Sequence, residues 1–166
     1  YEWYMMSKKK NYHILGHLFL LFSFYSAYFI RNDLAAGSYA FLAILLICIS
    51  TDIGGYVFGK IFKGPKLTKI SPKKTYAGVF GGYLLSIIFM YIFNDYLNEN
   101  YDLIEFIFII IISSISQLGD IVVSYFKRLS KIKDTGKLIP GHGGVLDRID
   151  GMIFVFPFYF IIYLIF

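Results

Sequence analysis

Apolar residues in this chain come in long blocks separated by short polar connections. Five blocks approach the ~20 residues that a helix needs to cross a hydrocarbon layer: about 14–30, 38–58, 76–93, 103–126 and 152–166. The last is short, and Pro157 within it is expected to kink its helix. A soluble core of this size cannot bury so much apolar sequence. No internal repeat, heptad run or low-complexity linker interrupts the pattern. It predicts one all-α, polytopic transmembrane helix bundle, a single transmembrane domain over residues 1–166.

The connections alternate in charge. Lys8, Lys9 and Lys10 precede the first block, and a nearly neutral turn with Arg31 and Asp33 follows it. After the second block come Lys60, Lys63, Lys66, Lys69, Lys73 and Lys74 with no acid, and after the third come Asp95, Glu99 and Asp102 with no base. The connection after the fourth block is basic again. Basic loops stay on the cytoplasmic side, so both basic connections are expected there and the acidic one outside.

Composition agrees. The chain is 57% hydrophobic and 16% charged, against roughly a quarter charged in soluble domains. The net charge of +5 sits in loops where membrane orientation accounts for it, so a nucleic-acid partner is not expected. The single Cys48 excludes an internal disulfide and a cysteine metal site. The start, YEWYMM, has neither an initiator Met nor a signal-peptide layout. The chain is therefore expected to be the C-terminal portion of a longer protein, with further helices upstream.

One polar island, Gln117–Asp150, carries the densest chemistry. It holds the acids Asp120, Asp134, Asp147 and Asp150, and the cations Lys127, Arg128, Lys131, Lys133, Lys137 and Arg148, with His142 as a conditional addition. Asp120, Ser124 and Lys127 recur at i, i+4, i+7 and share a helix face, with Gln117 one turn earlier. An acid at that depth must face protein, water, a metal or a counter-ion. An Asp–Lys pair bracing the bundle accounts for it equally well. Pro140 sets a turn before Gly141, Gly143 and Gly144, which allow close backbone approach to a ligand. Asp147 and Asp150, three apart, can address one cation, and carboxylates with phosphate oxygens suit Mg²⁺. The lysines and arginines suit phosphates. Anionic-lipid contact explains the lysines, but not the acids and glycines among them. Together these residues read as an active site for a phosphorylated substrate at a membrane surface.

Three further features stand apart from the island. Asp52 lies at membrane depth beside Gly54 and Gly55, which also suit a close helix seam. Ser71-Pro72-Lys73-Lys74-Thr75 precedes a helix start, an anion-binding arrangement without the glycines of a P-loop. His13 and His17 are four apart but lack further metal ligands and are expected to pack.

The motif Ser124-x-x-Lys127-Arg128, Lys133-Asp134, then Pro140-Gly141-His142-Gly143-Gly144-x-x-Asp147-Arg148-x-Asp150 resembles the signature of the phosphatidate cytidylyltransferases. Ser71–Thr75 with Gly78, Gly81 and Gly82, and Thr51-Asp52 with Gly54, Tyr56 and Gly59, are similar to two further family segments. Glu2-Trp3 is similar to an upstream dipeptide. Ala77 departs from the usual Glu and Gly151 from a frequent Ser. The resemblance spans essentially the whole chain. It implies condensation of CTP with phosphatidic acid to CDP-diacylglycerol and pyrophosphate in phospholipid biosynthesis. Mg²⁺ is implied as cofactor, with room for a second cation, in a multi-pass protein of the cell (inner) membrane whose site faces the cytoplasm. Lipid bilayer is the implied surround and a homodimer the candidate assembly. Carried onto this chain, Asp120 and Asp147 would hold metal with Asp150 nearby. Lys127, Arg128 and Arg148 would neutralise phosphates, and Ser124 would hydrogen-bond a phosphate or metal-bound water. Lys73, Lys74, Thr75, Asp52, Asp134, Gly143 and Gly144 would bind substrate. His142 would meet the leaving pyrophosphate or shape the turn. A CTP-using lipid phosphotransferase of the polyprenol or dolichol kinase kind, or an ion transporter, are the alternatives.

Overall fold

The computed structural model describes residues 1–33, 37–68, 70–97, 102–136, 138 and 143–165. Among them the chain forms seven helices: α1 (Glu2–Ser7), α2 (His13–Asp33), α3 (Gly37–Phe62), α4 (Tyr76–Leu97), α5 (Leu103–Leu129), α6 (Leu146–Ile149) and α7 (Met152–Ile165). No β-strand occurs among the described residues; an isolated antiparallel bridge joins Lys66 and Thr75. Helices α2 to α5 are each long and apolar enough to cross a membrane, and α7 is a shorter apolar helix. Each long helix is longer than its expected block, α3 most of all, with Gly37–Phe62 against 38–58. At the start of α5, where block and helix agree, the Asp102 carboxylate accepts from Glu105 N (2.8 Å) and caps the helix. Helix α7 runs through Pro157 without interruption.

Many large apolar side chains lie exposed on the outer faces, among them Ile14, Leu18, Leu21, Phe80 and Ile104. In water such a surface would drive aggregation; against lipid tails it is the appropriate solvent contact. The chain is an all-α polytopic membrane bundle. Lipid tails are as apolar as leucine, so helix association there depends on close packing and interhelical hydrogen bonds.

Both devices are present. Helices α3 and α4 run antiparallel with glycines facing: a Cβ at Gly54 would strike the Gly81 carbonyl oxygen, and one at Gly78 would lie 2.7 Å from Gly55 O. Thr51 donates to Ser113 Oγ (2.9 Å) from α3 to α5, and the Tyr83 and Ser114 hydroxyls bond at 2.9 Å between α4 and α5. Ile30, Ile44, Ile47, Met90, Ile109, Ile112 and Val155 form the central core. A second cluster of Trp3, Met6, Val123, Leu146 and Ile153 fixes α1, α5, α6 and α7 to one another. His13 and His17 stack edge to face, and His13 Nδ1 bonds Ser7 Oγ (2.8 Å), which agrees with a packing role. At one end of the bundle, the Tyr39 hydroxyl donates to Asn94 Oδ1 (2.9 Å) or Glu105 Oε1 (2.8 Å). The basic loops meet at the other end.

Candidate active site

A cavity of about 390 Å³ opens at the end of the bundle where the basic loops meet, within the size range of small-molecule sites. Five segments line it: α3, the connection before α4, the first turn of α4, the C-terminal half of α5, and the segment from Asp134 through α6.

Helix α5 presents Gln117, Asp120 and Lys127 to the cavity, as the 3.6-residue period predicts. Ser124, on the same face, is buried and donates to Asp120 Oδ1 (3.4 Å). It thus orients the acid from behind and does not line the cavity.

The connection from α3 to α4 folds back as a tight loop. Lys63 and Gly64 take positive φ (52° and 92°), Leu67 N donates to Lys74 O (2.8 Å), and Tyr76 N donates to Pro65 O (3.2 Å). This turn brings Lys73, Lys74 and Thr75 into the wall. Lys74 Nζ pairs with Asp120 Oδ2 at 2.5 Å. Thr75 Oγ1 accepts from Gly78 N (3.1 Å) and caps α4 while it lines the site. Asp52 faces the same space from α3, beside Thr51 and Tyr56.

The third wall is organised by Asp147. Its Oδ1 accepts from Lys127 Nζ (2.8 Å). Its Oδ2 accepts from Thr135 N (2.8 Å), Thr135 Oγ1 (3.0 Å) and Gly144 N (2.9 Å). Burial pushes this carboxyl up, but the bonds from Lys127, Gly144 and Thr135 prevail and hold it below its ordinary value. Asp147, expected to join Asp120 as a metal ligand, already accepts four bonds on its two oxygens, against one hydrogen bond and one ion pair on Asp120, so a metal there would displace more partners. The observed work of Asp147 is to hold Lys127 and the 135–144 backbone.

Asp150 is the better neighbour of Asp120. It is buried, and its Oδ2 lies 4.0 Å from Lys127 Nζ. Burial first, and then the negative charges of Asp120 and Asp52, push its carboxyl up to about 8 against the pull of Lys127. Asp52, Asp120 and Asp150 thus repel one another across one cavity, and a bound cation relieves that repulsion. Among the described residues no three His, Cys, Asp or Glu side chains converge as a ready-made metal cage. Mg²⁺ does not require one, since it binds through one or two carboxylates plus water and substrate phosphates. The donor set fits that ion.

Asp134 and Arg148 also line the cavity. Arg128 does not. Its guanidinium donates to Ile132 O (3.1 Å) and Ile70 O (3.5 Å) outside the cavity, tying α5 to the neighbouring loop. Gly143 and Gly144, expected to approach substrate, pack instead on the protein. Gly143 takes φ 87°, and a Cβ there would lie 2.8 Å from Asp147 Oδ2. A Cβ at Gly144 would overlap Thr135 Oγ1. Gly151, where the resembling family often has Ser, abuts Ser116, whose carbonyl oxygen would lie 2.9 Å from an added Cβ. His142, Pro140, Gly141, Lys69 and Lys137 lie outside the described residues.

Glu2 and Thr135 were not among the expected site residues. Both are buried against the third wall, and Thr135 Oγ1 lies 3.0 Å from Glu2 Oε2. The Glu2-Trp3 dipeptide was their sole trace in the sequence, because the contact spans 133 positions.

Comparison with known proteins gives a consistent picture. The model of the cytidylyltransferase family matches residues 3–166. A phosphatidate cytidylyltransferase of Rickettsia prowazekii is 38% identical over 172 residues, covering 97% of this chain and 74% of the relative. One of Staphylococcus epidermidis is 39% identical over 132 residues, covering 78% and 50%. One of Rickettsia conorii is 46% identical over 123 residues, covering 68% and 53%. The chain spans about half the length of the staphylococcal relatives it matches.

Proposed function

The chain belongs to the cytidylyltransferase family, and from that premise we propose that it transfers the cytidylyl group of CTP to phosphatidic acid, releasing pyrophosphate and leaving CDP-diacylglycerol. One observation carries the reading. Five carboxylates (Asp52, Asp120, Asp134, Asp147, Asp150) and the cations Lys73, Lys74, Lys127 and Arg148 border one cavity at the end of an apolar bundle. That is the equipment for holding a metal–triphosphate beside a lipid phosphate at a membrane surface. The charge of the basic loops that form the site supports a position facing the cytoplasm at the cell membrane, where CTP is available.

In the proposed reaction a phosphate oxygen of phosphatidate attacks the α-phosphorus of CTP. The new P–O bond forms as the α–β bridging bond breaks, and its electron pair leaves with pyrophosphate. Such transfers need positioning and charge neutralisation more than covalent help. Lys127, fixed by Asp147, and Arg148 face the phosphates from one wall. Lys73 and Lys74 face them from the other. Asp120 and Asp150, with Asp52 alongside, would hold Mg²⁺, which when bound neutralises triphosphate oxygens. Ser124 keeps the Asp120 carboxylate oriented, and Lys74 is its counter-ion.

The test is purified protein in lipid nanodiscs with Mg²⁺, phosphatidate and CTP labelled at the α-phosphate. Label is expected in the lipid product with equimolar pyrophosphate. No label in lipid from α-labelled CTP, with label entering it in a parallel run with γ-labelled CTP, would instead identify a kinase and defeat the reading. Asp120→Ala is expected to lower turnover by about 10²–10³-fold or more while the protein remains inserted.

A further inference from the structure

Glu2 does not line the cavity, yet its carboxylate is among the most heavily engaged near it. Val145 N donates to Oε1 (2.8 Å), Leu146 N to Oε2 (2.7 Å), and Thr135 Oγ1 to Oε2 (3.0 Å). Gly136 and Gly144 leave room for it: a Cβ at Gly136 would lie 2.9 Å from Glu2 Oε1. A glutamate in the first turn of a helix ordinarily serves that helix's own dipole. Here the donors come from residues more than 130 positions away, so the carboxylate is spent on the far segment.

Those donors lead directly to the chemistry. The Thr135 hydroxyl that reaches Glu2 also lies 3.0 Å from Asp147 Oδ2. One hydroxyl hydrogen shared between two carboxylates couples them. The amides of 145 and 146 open α6, the short helix that carries Asp147 and Arg148. Asp147 in turn holds Lys127. We infer that Glu2 is a positioning residue for the transfer reaction: through Thr135 and the first turn of α6 it sets where Asp147, Lys127 and Arg148 stand in the cavity. This rests on the cytidylyl-transfer reading for its catalytic consequence, and on geometry alone for its structural one.

Three donors converge on this side chain, so the position requires an acceptor-only group. Glutamine would turn an N–H toward at least one of the donors. Aspartate keeps the charge but is one methylene too short to meet all three.

The experiment measures Glu2→Gln, Glu2→Asp and Thr135→Val in the full-length protein in nanodiscs, by hydrogen exchange of peptides over residues 143–149 and by steady-state kinetics. Glu2→Gln is expected to speed exchange in those peptides about tenfold or more, with α3 and α4 unchanged. It is expected to lower kcat about tenfold while KM for CTP moves less than about threefold, as loss of an interaction made chiefly in the transition state does. Glu2→Asp should recover part of kcat. The double variant Glu2→Gln/Thr135→Val should lose no more than the worse single one, because both cut the same link. Unchanged exchange over 143–149 overturns the inference whatever the activity. So does a lowered melting temperature with wild-type kcat, which would make Glu2 only an anchor for α1. If Glu2→Gln does not fold, additive losses for Glu2→Asp and Thr135→Val overturn it equally. A wild-type protein inactive on CTP defeats the cytidylyl-transfer reading, while the exchange result still decides the role of Glu2.

Discussion

Asp147 and Asp150 stand three residues apart, both at the cavity, yet their surroundings drive them in opposite directions. Asp147 accepts from an ammonium, two backbone amides and a hydroxyl, so its charged form is favoured. A depressed carboxyl contributes stability that is present above its unfolded value, ordinarily 3.8, and lost as pH falls through the folded one. The melting advantage of wild type over Asp147→Asn is therefore expected to stay level from about pH 7 to about pH 5 and to erode below about pH 4. Asp147→Ala, which strands the buried Lys127, should cost about 3–5 kcal/mol; a loss under about 1 kcal/mol would mean the pair is not the clamp described. Asp150 behaves oppositely. Raised to about 8, it favours folding fully below 3.8, and that contribution disappears as pH rises through about 8. Without added metal, wild type should lose melting temperature relative to Asp150→Asn as pH rises from about 4 to about 8, and the difference should level off above that. A pH-independent difference would contradict the burial and repulsion assigned to it.

At the scale of elements, the α3–α4 seam positions Asp52 relative to the loop that delivers Lys74. Its tolerance is expected to change between adjacent residues. A Cβ at Gly54 would strike Gly81 O, whereas one at Gly55 would find its nearest neighbour, Gly78 O, at 3.8 Å. Gly54→Ala should cost about 1–3 kcal/mol, which is several degrees of melting temperature in a domain of this size. Gly55→Ala should match wild type or exceed it slightly, since alanine favours helix. Equal effects on thermal melting in detergent would disprove the seam's geometry. The spacing of small residues advertised a close helix contact. It did not say which glycine bears the backbone of its neighbour, because that depends on how the two helices are rotated about their axes.

For the molecule as a whole, both basic connections reach the cavity, whereas Asp95 and Asp102, which flank the acidic connection, lie at the opposite end with Asn94 and Glu105. This gives a topological prediction. Cysteines at Lys66 and Lys133, both exposed, should react with a membrane-impermeant maleimide from one face only, and a cysteine at Asp95 from the other. Cys48 is fully buried and should not compete. Labelling of all three from the same face would refute the arrangement.

What the sequence alone determined follows from local physics. Apolar block length dictates helices, since unpaired backbone groups are too costly in lipid. Helical periodicity placed Gln117, Asp120, Ser124 and Lys127 on one face. The basic loops marked the end of the bundle that carries the chemistry. What only the tertiary structure decided is which acids meet. Asp147 and Asp150 look interchangeable in a D-x-x-D spacing, but the fold surrounds one with donors and sets the other against Asp120. Arg128 sits one residue from Lys127 and is turned out of the cavity by the 100° step of the helix. Glu2 shows the limit most clearly. Its partners lie at the far end of the chain, and no local pattern encodes a contact made when α1 packs beside α5 and α6.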